Sequence, residues 1–110
     1  MTQQLTRDVG EMSWLCAPQR GVSYKSLRYD PETGAGAVLI HMTPGTTYPT
    51  HRLHAGLDVY VLDGDLAIAG TTLQRGAYAW LASGVTQTPM TTEGCVLFAT
   101  FAGRVENIHE

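Results

Sequence analysis

The sequence predicts an all-β domain of roughly ten short antiparallel strands, folded as a sandwich or barrel. Short runs of apolar and β-branched residues recur along the chain, and turns containing Gly, Pro or Asp separate them at regular intervals. No stretch carries the apolar period of an amphipathic helix. Because 110 residues suffice for one domain but not two, we expect a single domain over 1–110. Residues 1–12 should form an N-terminal arm and residues 13–108 the barrel.

The first part of the chain contains one clear hairpin signal. Strands at 22–29 and 35–42 flank the turn 30–34, which reads D-P-E-T-G, so they should pair antiparallel. Side-chain alternation places four residues of the first strand on one face: Val22, Tyr24, Ser26 and Arg28. Upstream, one short helical turn fits near 5–12, and Trp14 is expected to be a packing anchor.

The remaining strands are predicted from the turns that follow. They cover residues 46–51, 57–63, 66–69, 71–73, 77–81, 85–89, 95–101 and 105–108. The strand at 57–63 is apolar on both faces, so it should be central in its sheet. Gly64 and Asp65 should form a tight turn after it.

The amino-acid composition indicates which binding partners to expect. A formal charge of −3 and scattered basic residues argue against nucleic-acid binding. Apolar residues make up 44% and charged residues 15%, and Tyr60 and Leu62 should face outward, so we expect a homodimer that covers apolar surface. The spacing of Cys16 and Cys95 is not that of a metal site or a redox centre, so both cysteines are expected to be reduced and mostly buried. No signal peptide or membrane span is visible, so a cytoplasmic protein with no membrane association is expected.

Residues 45–64 contain two histidines and an acid that suggest a metal site. Gly45, His51 and Gly64 have the spacing of the first motif of the cupin superfamily. In that motif a Gly is followed after five residues by His-x-His, then by Glu and a closing Gly.

Later residues extend this similarity. The second cupin motif is Gly, five residues, Pro, one residue, Gly, two residues and His, and its positions are occupied here by Gly76, Ala82, Gly84 and Gln87. The runs 14–27 and 93–98 are similar to the cupin subgroup related to the ChrR anti-sigma factor. The chain therefore resembles that subgroup over nearly its whole length, which implies a small jelly-roll barrel.

The family's four metal-ligand positions fall here on His51, Leu53, Leu57 and Gln87. Strand alternation supports this register, since it separates the inward residues from Arg52 and His54 on the other face. Leucine cannot ligate a metal. The sequence therefore indicates a largely apolar, metal-free site, in which His51 bonds to Gln87 or to a water.

A register shifted by one residue is the alternative. It would use four other ligands for zinc, iron, manganese or nickel: His51, His54, Asp58 and Gln87. The two registers exclude each other, because a slip of one residue reverses every side chain.

Three functions remain open. The first is a binding protein for a small molecule of unknown identity, whose contacts we predict as His51, Leu53, Leu57, Gln87, Tyr48 and Trp80. The resemblance also implies two alternatives, a metal-dependent enzyme of dioxygenase type and a ChrR-like regulatory or sensor module. The sequence assigns no catalytic residue and does not decide whether the protein is an enzyme.

Overall fold

The computed structural model describes residues 4–49 and 51–107, with the backbone alone for residues 51, 106 and 107. This part of the chain contains a 3-10 turn at Val9–Glu11 and ten strands. The strands are β1 Leu15–Cys16, β2 Val22–Tyr29, β3 Gly36–Met42, β4 His51–Leu53, β5 Leu57–Ile68, β6 Thr71–Gln74, β7 Tyr78–Leu81, β8 Thr86–Gln87, β9 Cys95–Phe101 and β10 Val105–Asn107. The prediction of an all-β fold with a short turn near 5–12 is confirmed.

The strands form two antiparallel sheets. The larger has the order β1-β2-β3-β9-β5-β6, with β7 also paired to the first half of β5, and the smaller has the order β10-β4-β8. The predicted hairpin is confirmed, since β2 and β3 pair from Val22 opposite Met42 to Tyr29 opposite Gly36. Two facing antiparallel sheets of this kind are consistent with a jelly roll.

Cross-strand rows assign each residue of the larger sheet to the inner or outer face. One inner row runs through Tyr24, Ile40, Leu97 and Val61, and Val61 is completely buried. The adjacent outer row runs through Lys25, Leu39, Phe98, Tyr60 and Tyr78. Because successive residues of a strand point to opposite faces, the core lies between the sheets and the outer row faces away from it.

The predicted turn at Gly64 and Asp65 is wrong, because β5 continues through both residues to Ile68. Its register shifts by one residue between Val61 and Asp63, which is a bulge. Gly64 has φ +80° and approaches the carbonyl of Gly94 so closely that a Cβ there would clash. Asp65 is buried, and its carboxylate accepts hydrogen bonds from the backbone of the loop before β9. Long-range pairing therefore replaces the local turn.

The third strand also differs from its prediction at 46–51. Thr47 makes only an isolated bridge to Met90, and the Tyr48 N–H donates to the carbonyl of Pro89 at 2.8 Å. Pro49 has no N–H for a ladder, and the regular strand begins at His51. Residue 50, within the predicted strand, lies outside the described residues.

The N-terminal arm crosses the outer side of β2. The ammonium of Lys25 donates to the carbonyl of Val9 at 2.8 Å and lies 4.7 Å from the ring centroid of Trp14. The Trp14 ring packs in turn against His41, with 5.8 Å between centroids. These contacts fix the path of the arm along the sheet.

The two cysteines lie in different environments. Cys95 is buried, and burial raises the pKa of its thiol to about 11. Cys16 is exposed, which contradicts the prediction that both are mostly buried, because β1 is the edge strand of its sheet. No helix in residues 4–49 or 51–107 is long and apolar enough to cross a bilayer.

Candidate functional site

A cavity of about 380 Å³ lies between the two sheets. Its walls are the inner faces of β2, β3, β5 and β9. Further lining residues are Ala17 and Pro18 after β1, Tyr48, Pro89, and Val105 of β10. Most lining side chains are hydrocarbon, and they include Val38, Ile40, Leu57, Val59, Leu66 and Ile68. This volume falls in the range of about 300–1,000 Å³ that is usual for small-molecule sites.

Polar groups are few in the lining. Among the described residues, three hydroxyl side chains contribute polarity: those of Tyr24, Ser26 and Tyr48. Tyr24 and Ser26 come from the inner face of β2, whereas Tyr48 comes from the segment between β3 and β4. Burial, and secondarily the nearby Tyr24, raises the pKa of Tyr48. The Tyr48 hydroxyl therefore stays protonated near neutral pH.

The structure buries both leucines that occupy family ligand positions. Leu53 is 1% exposed and Leu57 is 7% exposed, and both belong to the main core cluster. Leu57 lines the cavity, whereas Leu53 packs within the core. Arg52, the neighbour of Leu53, is exposed, as strand alternation requires. Neither leucine offers a donor atom to a metal.

Gln87 is buried opposite His51 in the small sheet. The backbone register pairs His51 with Gln87 and Arg52 with Thr86. Gln87 is 2% exposed, and its Nε2 has no hydrogen-bond partner among the described residues. Such a buried unpaired donor costs about 1–3 kcal/mol. The His51 side chain lies outside the described residues, so its predicted bond to Gln87 stays a prediction.

The alternative metal ligands do not come together. Asp58 lies on the outer face of the large sheet, where it accepts hydrogen bonds from the Tyr78 hydroxyl and, at 3.1 Å, from Thr100 Oγ1. The hydrogen bond to Asp58 raises the pKa of Tyr78. His54 is exposed, while Gln87 is buried between the sheets. Among residues with described side chains, no three His, Cys, Asp or Glu cluster as metal ligands. The described donor atoms therefore do not fit the family's metal ion.

Two aromatic residues predicted to contact ligand lie in different places. Tyr48 lines the cavity. Trp80 is 61% exposed and lies opposite Asp58 on the outer face of the large sheet. Sequence reasoning missed Tyr24 as a lining residue, although alternation had placed it beside Val22 and Ser26. The missing information was which face of β2 turns inward.

Comparison with known proteins identifies relatives of this fold. The family model described as the ChrR cupin-like domain matches residues 2–105. No functionally curated protein matches the chain significantly.

Solved structures with the same fold include two connected with acetylacetone. One is a candidate acetylacetone dioxygenase from Methylibium petroleiphilum PM1, with 13% identity and a TM-score of 0.92, covering 99% of this chain and 83% of that chain. Another is an acetylacetone dioxygenase from Acinetobacter johnsonii, with 15% identity and a TM-score of 0.84, covering 100% of this chain and 83% of that one.

A third similar structure is Rhodobacter sphaeroides SigE in complex with the anti-sigma ChrR. It has 21% identity and a TM-score of 0.73, and the match covers 86% of this chain and 51% of that chain. At these identities the likeness establishes the fold and leaves the chemistry to the site itself.

Proposed function

The chain belongs to the family of ChrR cupin-like domains, and from that premise we propose that it binds a small, mostly apolar molecule without a metal ion. The observation that carries this proposal is the cavity of about 380 Å³, whose described lining side chains are apolar apart from three hydroxyl groups. An apolar ligand gains about 25 cal/mol for each Å² of its surface removed from water.

The metal-free part of the proposal is supported by the side chains at the family's ligand positions. A first-row metal needs three or four N, O or S ligands that converge on one point. Leu53 and Leu57 supply no ligand atom. Among the described side chains at the family's ligand positions, only Gln87 could supply one. Leu57 instead adds apolar surface to the cavity, and Leu53 packs in the core beside it.

The proposal is tested by filling the cavity. N-phenyl-1-naphthylamine, a neutral apolar probe, should fluoresce on binding the protein. The variant Val38→Phe places a larger side chain in the lining and should weaken probe binding at least tenfold. Leu39→Phe is the matched control, because the adjacent residue belongs to the outer row, and it should bind as the parent does. A parent that does not bind the probe, or equal binding by the two variants, would contradict the proposal.

A second copy of this chain is the partner we propose. Tyr60, Leu62, Tyr78 and Trp80 are exposed large hydrophobic residues on β5 and β7. In the described part of the chain β7 pairs only with β5, so its other edge can accept another strand. An identical β7 related by a two-fold axis would pair antiparallel and bring the two aromatic surfaces together.

A further inference from the structure

We infer that Tyr24 and Tyr48 select a neutral ligand with an oxygen that accepts a hydrogen bond, such as a ketone. This inference rests on the proposed function and names the chemical class of the ligand. It follows from which polar groups line the cavity and from where they lie along its walls.

The lining favours an uncharged ligand. The described lining residues include no acidic, basic, amide or imidazole side chain. Burying an ion costs several kcal/mol unless an opposite charge or several hydrogen bonds compensate it. Among the described lining residues, a carboxylate or ammonium group would meet apolar side chains and three hydroxyls. A neutral molecule avoids that penalty.

Two phenols belong to the cavity wall. Tyr24 lies in the inner row with Ile40 and Leu97, and the Tyr48 backbone is held by its N–H bond to Pro89. Each hydroxyl has one donor and two acceptor sites, so a phenol whose protein partner occupies an acceptor site keeps its O–H to donate to a ligand oxygen.

Two of the three hydroxyl side chains in the lining come from one strand, β2. Ser26 follows Tyr24 by two residues on the same face of β2, about 7 Å further along the strand, and it is exposed at the cavity edge. The lining side chains from β3, β5 and β9 are all apolar, and they include Val59, Leu66 and Ile68. A ligand with an oxygen on one edge and hydrocarbon elsewhere matches this arrangement.

Three molecules of similar shape test the inference: acetophenone, ethylbenzene and benzoate. Dissociation constants are measured by NMR titration of the full chain at neutral pH. One net hydrogen bond should make acetophenone bind about three- to tenfold more tightly than ethylbenzene. Benzoate should bind more weakly than acetophenone.

Variants then assign the oxygen contact. Tyr24→Phe and Tyr48→Phe should weaken acetophenone binding toward that of ethylbenzene and leave ethylbenzene binding unchanged. Tyr29→Phe is the matched control, because Tyr29 is exposed and does not line the cavity.

The outcomes separate this inference from the proposed function. If ethylbenzene or benzoate binds the parent as tightly as acetophenone does, the inference is wrong while the binding function stands. The same holds if acetophenone binding is unaffected by both tyrosine substitutions. If none of the three molecules binds the parent, the proposed function fails and the inference fails with it. The comparison among the three molecules needs only the parent protein, so poor folding of a variant cannot obscure the result.

Discussion

Restoring the family's metal ligands should first destabilise this protein and then make its stability depend on metal. The change is the triple substitution Leu53→His, Leu57→Glu and Gln87→His. Burial of each leucine contributes about 1.5–3 kcal/mol, so the loss from both is about 3–6 kcal/mol. This is a large part of the roughly 5–15 kcal/mol that stabilises a typical domain. The new carboxylate and imidazoles add a further cost while they lack partners.

Zinc should reverse much of that loss. At a free concentration about a thousandfold above its dissociation constant, a ligand specific for the folded state adds about 4 kcal/mol. For a chain of this size that corresponds to a rise in melting temperature on the order of 15 °C. Thermal unfolding followed by circular dichroism, with zinc and with a chelator, measures both effects.

An exposed leucine away from the proposed dimer surface provides the control. Leu15 is 51% exposed on β1, so Leu15→Glu should cost little and should not respond to zinc. An undiminished melting temperature for the metal-free triple variant would refute the burial argument. If zinc instead stabilises the parent, and His54→Ala or Asp58→Ala abolishes that effect, the shifted register is correct.

Three further predictions concern the arm, a buried carboxylate and the outer face. Lys25→Met should destabilise the arm by about 2 kcal/mol, because it removes a charged hydrogen bond and a cation–π contact, and hydrogen exchange at residues 9–14 should accelerate. Asp65→Asn should make the free energy of unfolding fall less on acidification than it does in the parent. The reason is that hydrogen bonds to the Asp65 carboxylate, above all from the Glu93 N–H, lower its pKa below the ordinary 3.8. The contribution of ionised Asp65 to stability is complete above the pKa of this residue in the unfolded chain, and it is lost as pH falls through the lower pKa in the folded protein. Midpoints of urea unfolding between pH 2 and 6 would measure this loss. Trp80→Glu should convert the expected dimer to a monomer, as measured by light scattering at micromolar concentration.

Each of these has its own control and contrary result. Arg28→Met, at an exposed site on the same strand, should leave hydrogen exchange in the arm unchanged. If it accelerates exchange as much as Lys25→Met does, the Lys25 contacts do not hold the arm. Asp63→Asn, at an exposed carboxylate, should preserve the acid dependence of the parent, and a matching effect from it would remove the assignment to Asp65. A parent that is monomeric at micromolar concentration would exclude the proposed dimer.

The fold was predictable because local signals and long-range pairing agree over most of the chain. Strands β2 and β3 flank a turn with Pro and Gly at suitable positions, and their alternation matches the inner and outer rows as far as Ser26. The predicted inward face is wrong for Arg28, because a register shift after Ser26 places it opposite Ala37, the outward neighbour of Val38. At Gly64 and Asp65 the same turn chemistry misled, since the Asp65 carboxylate serves backbone groups about 28 residues later in the chain. No local pattern contains that partner.

The candidate site was predictable only in part. The burial of Leu53, Leu57 and Gln87 agrees with the ungapped register, but their assignment as ligand contacts stays a prediction. The prediction that Trp80 contacts a ligand is wrong for this cavity, because Trp80 lies opposite Asp58 on the outer face of the sheet. The role of Tyr24 depends on which face of β2 covers the cavity, and this is decided by packing across the two sheets rather than by sequence nearby.

The metal content of the parent protein tests the central claim most directly. The protein is purified without chelator or metal-affinity resin, and its zinc, iron, manganese and nickel are measured by mass spectrometry of the elements. We predict far less than one metal ion per chain, and no change in melting temperature when EDTA is added. Close to one metal ion per chain, removed by EDTA together with a clear fall in melting temperature, would contradict the proposal of a metal-free apolar binding site.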